Sequence, residues 1–160
     1  MKGLSNPVVL VIDAEPLNLT ALAATLHARG FEVHCAADRA AAVKAAQEQT
    51  LDLIICDTSL RGEDGVALAE ELRQLPERSD VPVMFLCGAQ LPDVILRTHR
   101  HGSSFHIRKP IDAKLLLELA EKALWMPHLV KSHINRPHIP LSAFGNQGNA
   151  STMGMSFAGQ

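Results

Sequence analysis

The chain has 160 residues, 47% hydrophobic and 20% charged. That is enough apolar material for one domain of ordinary size and a short extra piece, and it excludes disorder throughout. Fifteen basic residues against 17 acidic give a net charge of −2, so no charge asymmetry points to nucleic acid or an anionic membrane. The apolar runs are short and broken by charge, and none predicts a membrane-spanning helix. The segment Met1 to Pro7 lacks the charged, apolar and small-residue regions of a signal peptide. Three cysteines, Cys35, Cys56 and Cys87, are too few and too scattered for a disulfide framework or a zinc site. A reducing, cytoplasmic compartment is expected.

In chain order, Val8 to Ile12 is a continuous apolar run that suits a strand buried on both faces of a parallel sheet. Pro16 opens a helix with Leu19, Leu22, Ala23 and Leu26 at helical spacing, and Gly30 stops it. Phe31 to Cys35 alternates as a second strand nearer the sheet edge, and Arg39 to Gln47 is an alanine-rich helix. Leu53 to Cys56 is a third strand ending at Asp57, followed by a turn from Gly62 to Gly65 and a helix from Val66 to Leu75. Val81 to Cys87 is the fourth strand, and a short polar helix follows from Pro92 to His101. Gly102 ends that helix, Phe105 to Arg108 forms the fifth strand, and Asp112 caps a last helix carrying Leu115, Leu116, Leu119, Ala120 and Ala123 inward.

Strands alternating with helices of this size imply right-handed crossovers and a parallel sheet covered on both faces. Ligands of such sheets sit beyond the carboxyl ends of the strands. Asp13 and Glu15 follow the first strand, Asp57 the third, Cys87 the fourth and Lys109 the fifth. A strand-end aspartate is a fixed nucleophile that can attack a phosphoryl group. Its charges are neutralised by Mg2+ held on one or two carboxylates, and by a lysine. Asp57 as nucleophile, Asp13 on the metal side and Lys109 as clamp meet those needs.

From about Pro7 to Leu124 the chain resembles a response-regulator receiver domain of bacterial two-component signalling. The motifs are the acid closing the first strand (Asp13), the loop from Asp57 to Gly65, and Gly102 leading to Lys109-Pro110. The resemblance implies a flavodoxin-like three-layer α/β sandwich, with a five-stranded parallel sheet in order 2-1-3-4-5 and helices on both faces. It implies phosphotransfer to Asp57 from a histidine kinase or histidine phosphotransfer protein, with Lys109 as phosphoryl clamp. The Mg2+ ligands would be Asp13, Asp57 and the Ser59 backbone carbonyl, and a cis bond is expected at Lys109-Pro110. Such a protein is no enzyme beyond self-catalysed phosphotransfer and dephosphorylation. It would signal through a downstream protein, with a homodimer as one form.

Four positions depart from the family's pattern. Ala14 stands where a second acid binds the metal, which predicts weak Mg2+ binding, and the reach of Glu15 is uncertain. Cys87 stands at the Ser or Thr switch position and is a poor hydrogen-bond partner. His106 replaces the fifth-strand aromatic that swings on activation, and Arg61 stands where proline is common. Arg97, Arg100, Arg108 and the histidines make a basic face on the fourth helix and fifth strand, a candidate docking surface against the plainer reading of a solvated face. The competing function is a pseudo-receiver, a protein interaction module that works without phosphorylation.

All acidic residues lie at or before Glu121, and beyond Pro127 only Lys131 and Arg136 are charged. The expected division is a leader over 1–6, a receiver domain over 7–126, and a flexible tail or linker over 127–160 with no sustained period. No second motif-bearing domain is visible, so a single-domain regulator is expected.

Overall fold

In a computed structural model, which describes residues 6–88, 91–98 and 104–134, the apolar runs become the strands of a parallel sheet. The order along the chain is β1 (Val8–Ile12), α1 (Pro16–Ala28), β2 (Glu32–Ala36), α2 (Arg39–Glu48), β3 (Leu53–Asp57), β4 (Ser59–Leu60) and β5 (Glu63–Asp64). It continues with α3 (Gly65–Arg73), β6 (Val83–Cys87), α4 (Leu91–Thr98), β7 (Ser104–Arg108) and α5 (Ala113–Ile134). The five-stranded sheet runs β2-β1-β3-β6-β7. Counting its own strands, this is the expected 2-1-3-4-5, because β4 and β5 pair only with each other.

Strand alternation divides the core in two. Leu10, Ile12, Ile54, Cys56, Val83 and Phe85 face a cluster with Ala42, Ala46, Val66, Ala69 and Leu72 of α2 and α3. Val9, Val11, Leu53, Ile55, Met84, Leu86 and Ile107 face Leu22 and Leu26 of α1 and Leu116, Ala120 and Ala123 of α5. β1, β3 and β6 are wrapped on both sides, which is why they read as unbroken apolar runs. β2, at the sheet edge, mixes exposed and buried positions. Caps fall where the sequence offers them: Asp38 Oδ1 accepts from Ala41 N at 2.9 Å, and Asp112 Oδ1 from Lys114 N at 2.9 Å.

Several limits differ from the sequence reading. β2 starts at Glu32, because Phe31 turns into the α1–α5 core ahead of the strand. β6 starts at Val83, since Pro82 has no N–H for the ladder, although its carbonyl accepts from Ile54 N at 3.0 Å. The β4–β5 hairpin has no counterpart in the sequence reading. Of the helix expected from Pro92 to His101, residues 99–101 lie outside the described residues, as do Gly102 and Arg100. The chain divides into two units, Met1–Pro127 and His128–Gln160, and the sheet belongs to the first. α5 runs through Pro127 to Ile134, so the absence of helical structure expected from residue 127 is corrected over the described part of that stretch. The expected leader, apart from Asn6, and residues 135–160 lie outside the described residues.

Candidate functional site

Three parallel strands end at one rim and carry the polar groups there. Val11, Ile55 and Ile107 point towards α1 and α5. Two residues further along each chain path come Asp13, Asp57 and Lys109, on the same side of the sheet by alternation. Asp13 is 1% exposed and Asp57 6% exposed. Lys109 Nζ donates to Asp57 Oδ2 in an ion pair, and Ser59 N donates to Asp57 Oδ1 at 3.0 Å. The lysine directly follows β7 and precedes the cis Lys109-Pro110 bond, and Lys109 N donates to Cys87 O at 2.8 Å.

Asp13 is held from the start of α1. Its Oδ1 accepts from Glu15 N at 2.8 Å and its Oδ2 from Asn18 Nδ2 at 3.4 Å. Burial pushes the Asp13 carboxyl above its ordinary range and the charge of Asp57 adds to this, while the Glu15 N–H, Lys109 and Asn18 oppose it. Two carboxylates thus share one ammonium, which leaves the rim short of positive charge. Glu15 meets Asp13 through its main chain, and its side chain is exposed. Ala14 is packed with the α2–α3 cluster and has no ligating atom.

The loop after Asp57 is built by backbone geometry. Arg61 (φ 40°) and Gly62 (φ 88°) both occupy the left-handed region, the requirement of a two-residue turn between β4 and β5. Gly65 returns the chain to the end of β3, where an added Cβ would stand 1.8 Å from Asp57 O. Only glycine permits that approach. Asp64 then caps α3 through Val66 N at 3.0 Å, and its other oxygen pairs with Arg97 of α4.

Cys87 is fully buried with the α2–α3 cluster, and its Sγ donates to Phe85 O at 3.7 Å. Burial pushes its thiol up to about 12, with Asp57 adding and Lys109 opposing. It is a protonated thiol at neutral pH rather than a nucleophile. Cys56 is pushed up as well, by burial first and then by Asp57, Asp13 and Asp64.

His106 stacks on Phe85, its partner across the β6–β7 ladder, with ring centroids 5.9 Å apart. Burial drives its imidazole down to about 4. Arg108 is exposed. Arg97, expected on the basic face, is half-exposed, and its guanidinium is paired with Asp64. Among the described residues no group of three or more His, Cys, Asp or Glu gathers as a metal cage. Three residues the sequence reading left without a role contact candidate residues: Asn18 bonds Asp13, Asp64 pairs with Arg97, and Thr98 bonds His106. Asn18 was findable as the side chain in the first turn after β1 able to reach back to Asp13. No local signal marks the other two.

The family model for the response regulator receiver domain matches residues 9–121. The chain belongs to that family. Over 145 residues it is 28% identical to the transcriptional regulatory protein ZraR of Escherichia coli, covering 91% of this chain and 32% of that protein. Over 108 residues it is 33% identical to the transcriptional regulatory protein PrrA of Mycobacterium tuberculosis, covering 68% of this chain and 46% of that one. The chain therefore spans about a third to a half of these curated relatives. Among solved structures, NtrX from Brucella abortus matches with a TM-score of 0.72 at 27% identity, over 89% of this chain and 32% of that chain. The chemotaxis protein CheY4 of Vibrio cholerae matches in fold with a TM-score of 0.70 at 24% identity, over 74% of this chain and 99% of that chain.

Receiver domains are signalling modules of two-component systems rather than enzymes in the usual sense. They interact with histidine kinases or phosphotransfer proteins and generally bind Mg2+ in the acidic pocket. The donor set here suits that ion, since two adjacent carboxylates are the usual protein share of a magnesium site that also takes phosphate oxygens and waters. Among the described residues no helix is long and apolar enough to cross a membrane.

Proposed function

We propose that Asp57 accepts a phosphoryl group from a histidine kinase or phosphotransfer protein, and that the phosphorylated chain signals by protein–protein contact. The supporting observation is the buried Asp57 carboxylate with its Oδ2 on Lys109 and its Oδ1 on Ser59 N, beside Asp13. An Asp57 oxygen attacks phosphorus, the bond to the donor's imidazole nitrogen breaks, and an acyl phosphate forms. Lys109 is placed to exchange its carboxylate partner for a phosphoryl oxygen. Asp13, Asp57 and the Ser59 carbonyl would hold Mg2+, which supplies charge neutralisation at the transferring group. With Ala14 contributing nothing, that hold is weaker than a three-carboxylate site gives. Residues 7–126 are the receiver in this reading, acting in the cytoplasm, with 127–160 as tail or linker.

Intact mass after incubation with Mg2+ and acetyl phosphate tests this. One phosphoryl adduct, absent in Asp57→Asn, is the expected result. An adduct that survives in Asp57→Asn refutes the assignment of the nucleophile. A second reading, an interaction module independent of phosphate, is favoured by Ala14 and by the buried thiol of Cys87. A folded protein that acquires no adduct even with its partner kinase would establish it.

A further inference from the structure

α4 is described over Leu91–Thr98, and a short surface helix draws most of its stability from tertiary contacts. Its described anchors are Val94, buried in the α2–α3 cluster, the half-exposed Arg97–Asp64 pair, and Thr98, which is 1% exposed. Thr98 Oγ1 has three polar neighbours: Val94 O at 2.9 Å, Ile95 O at 3.4 Å and His106 Nε2 at 2.7 Å. The two carbonyls can only accept, and a hydroxyl has one hydrogen. Were that hydrogen given to His106, two oxygens would face each other at 2.9 Å with no proton between them. One arrangement satisfies every contact: Thr98 donates into its own helix, and His106 Nε2–H donates to Thr98.

The ring is fixed on its flat side by Phe85. Cys87 offers it no hydroxyl, and its Sγ is turned to Phe85 O. We propose that His106, as the Nε2–H tautomer, and Thr98 form a latch that holds α4 against β7, and that α4 opens by breaking this bond. The latch does not depend on phosphoryl transfer at Asp57. β7 carries both the latch and, just beyond its end, the lysine on Asp57, so the two sites share one strand.

The test is hydrogen exchange of the α4 amides in the full chain, with nitrogen NMR of the His106 ring. Thr98→Val removes the hydroxyl at nearly constant shape, and Thr98→Ser restores it. Thr98→Val is expected to speed α4 exchange about tenfold, ~1.4 kcal/mol of local opening. Thr98→Ser should return it to within about threefold of the parent. The amides of β1 and β3 stay unchanged, and the ring reads as protonated on Nε2. If Thr98→Val does not fold, His106→Phe keeps a stacked ring without the donor and must loosen α4 alike. Parent-like α4 exchange in the variant, or a ring protonated on Nδ1, overturns the latch.

Discussion

Acid should unfold this domain partly through His106. In the folded protein burial holds the imidazole down at about 4, and its contacts Thr98 and Phe85 are neutral. In the unfolded chain it titrates near its ordinary value of about 6.5. A depressed histidine favours folding fully above the unfolded value, and that contribution is lost as pH falls from about 6.5 to about 4, because only the unfolded chain takes up the proton. A difference of roughly two and a half pKa units corresponds to about 3 kcal/mol at most. The ring is only partly buried, and solvent screening reduces this to about 2 kcal/mol. Urea unfolding from about pH 7.5 to about 4.5, for the parent and His106→Phe, isolates the term, since every other group is common to both and cancels in the difference. With a denaturant slope of about 1.5 kcal/mol per molar, the parent midpoint should fall by about 1 M more than that of the variant. Parallel curves would refute the buried, neutral histidine.

Gly65→Ala should cost about 3 kcal/mol in urea unfolding, because the new methyl meets the main-chain oxygen of Asp57 and neither backbone can yield cheaply. Ala14→Asp should lower the thermal midpoint in EDTA, by adding a third carboxylate beside two, and recover it in Mg2+; calorimetric titration should show Mg2+ bound about tenfold more tightly than by the parent. Asp13→Asn should raise stability at neutral pH. The folded carboxyl titrates above its unfolded value, so its ionised form opposes folding at neutral pH, and the advantage of the variant fades as pH falls through the Asp13 range. Equal unfolding midpoints for parent and variant at pH 7 would count against the raised carboxyl.

The strands were legible because their burial is two-sided. Val8 to Ile12 and Leu53 to Cys56 have no polar face to interrupt them, and a strand-end acid marks where each leaves the core. β2 was placed within one residue, its start blurred by Phe31, an apolar side chain that belongs to the core but not to the ladder. The hairpin β4–β5 left no apolar pattern, having two residues a side and a turn made by backbone angles. Gly62 announces half of that turn, while Arg61 beside it is a residue that rarely takes a positive φ.

The site divides along the same line. Asp13, Asp57 and Lys109 could be assembled from sequence because a parallel sheet delivers all its strand ends to one rim, whatever the loops do. What surrounds them could not, because it depends on pairs that no period encodes. Arg97 reads as one of a basic set on a helix face, yet its partner Asp64 lies in the β4–β5 hairpin that follows Asp57. His106 reads as a replacement for the fifth-strand aromatic. Its meaning comes from Thr98, whose hydroxyl is committed to its own helix and leaves only a lone pair to receive the ring. A chain that lacks the hydroxyl at residue 87 and has a histidine at 106 has therefore not simply lost parts. Thr98 and His106 together give α4 a polar tie to β7 that neither residue announces alone.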